Sequence, residues 1–401
     1  MRVPSKLGIG SSLRERPGSG SPPAARGAVS VVFALSGLLF GSWAARIPAV
    51  RDRAGLSDGE LGIALACIAV GAVLAMPIAG GLAARFGSRR ATRGALLLSC
   101  VAVGVVALAP SLLALCALTV LFGIANGALD VSMNAHGVAV ESRYDRPILA
   151  SFHAAFSLGG LAGGALGALA ADAAIDVRVH LAVVSLVSAV VGLAWSRRFL
   201  SAGADAVGAS EPAFVRPPRR LLPLGLLAFA CLLIEGASGD WSGVYLRDEL
   251  GAGAGTAALG FTAFSVTMTA GRVVGDRLVH RLGALTVVRG GGAIAAGGFA
   301  LALLASNPVA AIAGFACLGA GMSGVVPIVF RAAGHVPGMT AGMGLAAVST
   351  TGYLGFMVGP PVIGAVAELV GLPNALVLLV LLGVVVFSLA PATRREALVP
   401  A

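Results

Sequence analysis

The chain has 401 residues, 57% of them hydrophobic and only 11% charged, with a mean hydropathy of +0.94. A soluble domain carries roughly a quarter charged residues, so this composition excludes a water-covered surface and specifies an integral membrane protein. The net charge of +10 would suit nucleic acid, but the arginines lie between apolar runs rather than along one helix or patch, which argues against that partner.

Residues 1–27 are polar and rich in Pro, Ser and Gly, the composition of a disordered tail. A bilayer core about 30 Å thick takes about 20 apolar residues in helix. On that measure twelve spans follow in chain order: 28–46, 61–84, 94–110, 112–134, 151–171 and 181–196, then 221–245, 256–276, 284–305, 308–330, 340–368 and 372–390. The expected fold is all-α, two six-helix bundles (28–196 and 221–390) joined by a linker at 197–220, with a short tail at 391–401. With the N-terminus inside and the spans alternating, 23 of the 28 Lys and Arg residues fall on the cytoplasmic side, leaving Arg46, Arg51, Arg53, Arg178 and Arg247 outside. That bias predicts N-in/C-in. The five cysteines (Cys67, Cys100, Cys116, Cys231, Cys317) sit inside apolar runs without ligand spacing and read as small hydrophobes.

The chain repeats itself. GGLAARFGSRR at 80–90 follows the second span and GRVVGDRLVHRLG at 271–283 follows the eighth. GSW at 41–43 recurs as GDW at 239–241, and FSLGGLAGGALG at 156–167 shares an LG-x-x-x-G core with GYLGFMVGPPVIG at 352–364. A repeat of half the chain is a mark of secondary transporters.

The duplicated turn resembles the signature G-x-L-A-D-R-x-G-R-R of the major facilitator superfamily, here carried by Gly80, Arg85, Gly87, Arg89 and Arg90 and again by Gly271, Asp276, Arg277 and Arg281. GLLFGSWAARIPAVRD, EGASGDW and TTGYLGFMVGPPVIGAVAELVGLPNA are similar to the bacterial YbjJ-type branch. The resemblance implies two bundles rocking about a central cavity lined by spans 1, 4, 7 and 10, with the turns bracing a closed cytoplasmic gate. Two departures matter. Ala84 stands where the pattern has aspartate, so the brace is expected to rest on Asp276. Gly164 stands where the antiporter signature of span 5 has proline, which disfavours drug–proton antiport.

Ionisable groups inside a bilayer cost several kcal/mol and mark function by default. Asn126, Asp130 and Asn134 on the fourth span are four apart and share one helix face. They form either a cavity stripe, with Asp130 taking a proton or a solute group, or a brace to a neighbouring helix or gate. Glu235, midway along the seventh span, is the first choice for proton coupling. Trp43 and Trp241 read as interfacial anchors or as gate and cavity-lining groups. Arg46 reads as an outer-end anchor, Arg331 as a topology signal, and His153, Ser157 and Tyr353 as cavity or helix-packing groups. GAGMSG at 319–324 fits G-x-G-x-x-G, but no strand–turn–helix context surrounds it, and glycines within a span serve close packing. No metal, cofactor or catalytic arrangement is indicated. The expected function is alternating-access transport at a bacterial inner membrane by a monomer. Proton-coupled symport of a small polar metabolite such as a sugar comes first, with efflux of a metabolite or drug, or a non-transporting sensor, as alternatives.

Overall fold

The structure, a computed structural model, describes residues 21–56, 58–201 and 219–394. The expected tail over 1–20, most of the linker (202–218) and the C-terminal residues 395–401 lie outside the described residues. The described chain is helical throughout, with no strand. The helices are α1 (Pro22–Ala54), α2 (Asp58–Phe86), α3 (Ser88–Val106), α4 (Leu112–Glu141), α5 (Leu149–Asp172), α6 (Val177–Ser196), α7 (Leu222–Val244), α8 (Ala254–Leu282), α9 (Ala284–Ala305), α10 (Pro308–Met322), α11 (Val325–Ala333), α12 (Ala341–Val370), α13 (Leu372–Ala375) and α14 (Val377–Leu389).

Among the described residues, ten helical segments are long and apolar enough to cross a membrane. α10 and α11 together make one of them, as do α13 and α14. α3 and α8 fall short for local reasons. α3 opens on Arg89, Arg90 and Arg93, and α8 spends much of its length on Gly, Thr and Ser. The outward faces confirm the solvent. Leu113, Leu304 and Leu369 are each more than 80% exposed, a display that only hydrocarbon tolerates at this density.

Of the segment 1–27, the described residues 22–27 are helical. α1 starts at Pro22, with proline at its first helical position, where the ring's fixed φ is already helical and its missing N–H costs nothing. It runs on to Gly55, whose φ of 65° gives the left-handed C-cap that favours glycine. The tenth span breaks at Ser323–Gly324, inside GAGMSG, so this motif is helix and turn, with no strand before it among the described residues.

Packing partners repeat. α1 lies on α5, α2 on α4, and α3 on α4 and α6; correspondingly α7 lies on α12, α8 on α10, and α9 on α10 and α14. The halves meet through α2 with α12 and α5 with α8, again an equivalent pair. Close approach is a glycine property here: a Cβ at Gly159 would lie 2.0 Å from the Ala34 carbonyl oxygen, and one at Gly123 2.0 Å from that of Ile68. Without Cβ atoms the backbones pack to van der Waals contact, which replaces the hydrophobic drive that lipid does not supply.

Candidate functional site: a central polar belt and a cross-half seam

The arginine-rich end is built by the two signature turns. Gly87 (φ 81°) and Gly283 (φ 78°) occupy matching left-handed positions, open to residues without a Cβ. Beyond that the copies differ. In the second, the Asp276 carboxylate accepts from the Ala150 N–H at 2.9 Å and the Ser151 N–H at 2.8 Å. The first turn of α5 needs such a partner, because its N-cap is Ile148, which has no side-chain acceptor for the free N–H groups. Glu141, at the end of α4, supplies the others, accepting from Ile148 N–H at 2.6 Å and Leu149 N–H at 2.9 Å. It also pairs with Arg331 of α11 through two guanidinium nitrogens, the second contact at 3.0 Å.

In the first copy the end of α2 meets α12 by shape alone. A Cβ at Gly80 would lie 2.5 Å from the Ala346 Cβ, and Ala84 is buried. The start of α12 is capped by its own Thr340 hydroxyl. Arg85 stacks over Phe86, Arg89 donates to the Leu200 carbonyl at 3.2 Å, and Arg90, Arg277 and Arg281 are exposed.

A polar belt crosses the middle of the molecule. On α4, the Asn134 amide donates to Asp130 Oδ1 at 3.1 Å, and the Asn126 amide to the Tyr353 hydroxyl of α12 at 3.5 Å. Asp130 Oδ2 is buried, and the buried hydroxyl of Ser349 faces it from α12. Among the described residues no cation pairs with Asp130. Glu235 is different: its carboxylate, 29% exposed, lies 3.7 Å from the guanidinium of buried Arg272 on α8. Arg272 in turn donates to the Ser157 hydroxyl of α5 at 2.8 Å. The belt thus brings Asn126, Asp130, Tyr353, Glu235 and Ser157 together, and adds Arg272.

Other candidates sit elsewhere. Trp43 is buried in the first half, edge-on to Phe122 at 6.0 Å, so it packs the bundle rather than anchoring at an interface or lining an open cavity. Trp241 is half-buried against Gly364 of α12, its indole N–H unpartnered. Arg46 is buried and donates to the Ile175 carbonyl, in the connection between α5 and α6, at 2.6 Å; it is an internal brace. The His153 ring lies between Phe33 and Phe330, a packing role that reaches across the halves.

Sequence reading passed over Arg272 and over Glu141, the partner of Arg331. Arg272 adjoins an arginine-rich turn and reads there as one more topology signal. The hint was its position four residues before Asp276, on the same helix face. Glu141 was signalled by a helix start at Ile148 that lacks its own cap.

An all-helical membrane chain with duplicated packing and a polar belt between the duplicated parts has the form of a membrane transporter. The chain belongs to the Major Facilitator Superfamily: the family model matches residues 28–341 and 229–400. It is 36% identical over 368 residues to an uncharacterized MFS-type transporter of Yersinia pestis, covering 91% of this chain and 94% of that protein. It is also 36% identical over 368 residues to the membrane protein MosC of Rhizobium meliloti, covering 90% and 88%. In fold it matches the fucose:proton symporter FucP of E. coli with a TM-score of 0.74 at 16% identity, covering 92% of this chain and 98% of that one. It is a multi-pass membrane protein of the transporter class.

Proposed function

We propose that the protein is a proton-coupled secondary transporter that moves a small, neutral, hydroxylated solute, such as a sugar, by alternating access in a bacterial cytoplasmic membrane. The observation that carries this reading is Asp130, half-buried on α4 with its Oδ2 atom buried, with amide and hydroxyl groups around it and, among the described residues, no cation paired with it. An ionised carboxylate without a cation is costly at that depth, so Asp130 is the group suited to taking and releasing a proton. Glu235, the first choice from sequence, has a guanidinium beside it and is assigned to the solute side of the cavity, with Asn126 and Tyr353. Asp130, Glu235 and Arg272, all ionised, sum to one negative charge; one proton balances them when a neutral solute binds, and an anionic solute would not. The structural neighbours, at 14–17% identity, speak for the fold and not for the solute.

The same reading takes α3 and α8 as spans, giving twelve in two six-helix bundles (28–196 and 221–390), N-in/C-in, acting as a monomer without nucleic acid, cofactor or enzymatic activity. The duplicated packing supports the two bundles, and the arginine count supports the orientation. On this reading the cross-half contacts through Asp276, Glu141–Arg331 and Gly80 are the ones that close the cytoplasmic end.

The test is proton uptake into proteoliposomes loaded with a pH-sensitive dye and offered hexoses, pentoses and polyols in turn. Solute-dependent proton entry, lost in Asp130→Asn while solute counterflow persists, is expected. Undiminished proton-driven uptake by Asp130→Asn would overturn the assignment, and solute flux without proton entry would overturn the coupling.

A further inference from the structure

Along α8, Asp276, Gly275 and Arg272 all meet α5. Asp276 holds the first N–H groups of α5, a Cβ at Gly275 would lie 3.0 Å from the Ala150 Cβ, and Arg272 reaches Ser157 about two turns further along. This is the cross-half seam, and Arg272 is its bolt nearest the centre. Arg272 also pairs with Glu235 of α7, on the proposed solute path, at 3.7 Å.

We infer that Arg272 is the positioning residue that couples the charge on Glu235 to closure of the α5–α8 seam. The inference rests on the reading above that Glu235 faces the solute path. With Glu235 ionised, Arg272 has a carboxylate on one side and the α5 hydroxyl on the other, and both bundles are held. When a bound solute donor engages Glu235 and draws its carboxylate away, Arg272 is left as a buried cation on a single serine hydroxyl. Its Nε has no partner even in the paired state. A buried charge that loses its counter-charge is strongly destabilised, and parting α5 from α8 is the motion that gives the guanidinium water.

Among the described residues, Glu235 is the carboxylate that pairs with Arg272. His153 of α5 stands near Arg272, Cys231 lies one turn down α7, and Tyr353 of α12 faces Glu235. None of these is a carboxylate. Asp276 lies one turn along α8 with both oxygens committed to the α5 backbone. Glu235 is therefore the group whose charge Arg272 registers, and Ser157 is the contact through which the other half feels it.

The test is a distance measurement, which requires neither a known solute nor proton flux. Spin labels are placed at Arg146 and His280, exposed positions on either side of the seam, in a full-length background with the native cysteines replaced. Glu235→Gln and Arg272→Gln are each expected to shift the open-to-closed ratio at this end by about tenfold or more. The double variant should shift it no further, and Arg272→Lys, which keeps the charge, should stay near the parent. Thermal unfolding of each variant checks that it is folded. A parent-like distribution in folded Arg272→Gln would overturn the bolt. A shift in Arg272→Gln that Glu235→Gln does not share would overturn the coupling. Because no proton movement is read, loss of the symport assignment and loss of this inference are separate results.

Discussion

Replacing Asp276 with asparagine tests the asymmetry of the gate. The carboxylate accepts two backbone N–H groups of α5, at 2.9 and 2.8 Å, from the other half of the molecule. Asparagine keeps one acceptor oxygen for one of them and turns a donor toward the other. The loss is one charge-assisted hydrogen bond, about 1.5 kcal/mol, plus the attraction of a charge for a helix N-terminus, about 0.5 kcal/mol. Together about 2 kcal/mol changes the open-to-closed ratio roughly thirtyfold. The reporter is a cysteine at Val138, which is buried on α4 against Gly334, just after α11, where the two halves also meet, labelled with a membrane-impermeant maleimide from the side that carries the signature turns.

Asp276→Asn should raise the labelling rate by that factor, and Asp276→Ala by more. Ala84→Asp should impair transport less than Asp276→Asn, because the α12 start beside Ala84 is already capped by Thr340. Unchanged labelling in Asp276→Asn, or a larger transport defect in Ala84→Asp, would refute the reasoning.

The ion pair between Glu141 and Arg331 gives a second expectation. Glu141→Gln leaves Arg331 without its carboxylate and should cost about 3 kcal/mol. The exchange Glu141→Arg with Arg331→Glu should not rescue it, since arginine cannot accept from Ile148 and Leu149; rescue in a thermal-unfolding series would show the pair acts by charge alone. At the α2–α4 contact, Gly123→Ala should destabilise despite a helix-propensity gain of about 1 kcal/mol, because the new Cβ meets the Ile68 carbonyl at 2.0 Å. Gly94→Ala, with nothing within 4 Å, should be neutral or stabilising in the same melt. His136 receives the Leu200 N–H at 3.3 Å and contacts the Ser88 hydroxyl at 2.7 Å, so His136→Ala should speed proteolysis of the linker after Leu200; an unchanged cleavage rate would count against this dock.

What the sequence discloses and what it hides divide along a physical line. Apolar runs, the arginine-rich turns and the half-chain repeat are local or periodic properties, so the spans and the duplicated design are legible before any coordinates. Membership of a stripe is also legible: Asn126, Asp130 and Asn134 share a face because helices have 3.6 residues per turn. Which groups face that stripe is set by the register of one half against the other, and no periodicity encodes it. Tyr353 meets Asn126 and Arg272 meets Ser157 across separations of 227 and 115 residues. Trp43 shows the reverse failure, where an interfacial habit of tryptophan was overridden by packing on Phe122.

The two helix starts at the gate show how much of this register can still be inferred. α12 begins after Thr340, a capping residue, and α5 begins after Ile148, which cannot cap. A helix that cannot satisfy its own first turn must borrow acceptors, and the borrowed ones are Glu141 and Asp276. The missing aspartate at Ala84 and the retained Asp276 are then one design rather than two accidents. The carboxylate is present in the turn that faces the uncapped helix and absent from the turn that faces the capped one. This makes the contact between the halves polar and breakable at α5–α8 and apolar at α2–α12, so in the proposed coupling a change of charge at Glu235 has one side, α5–α8, on which to act.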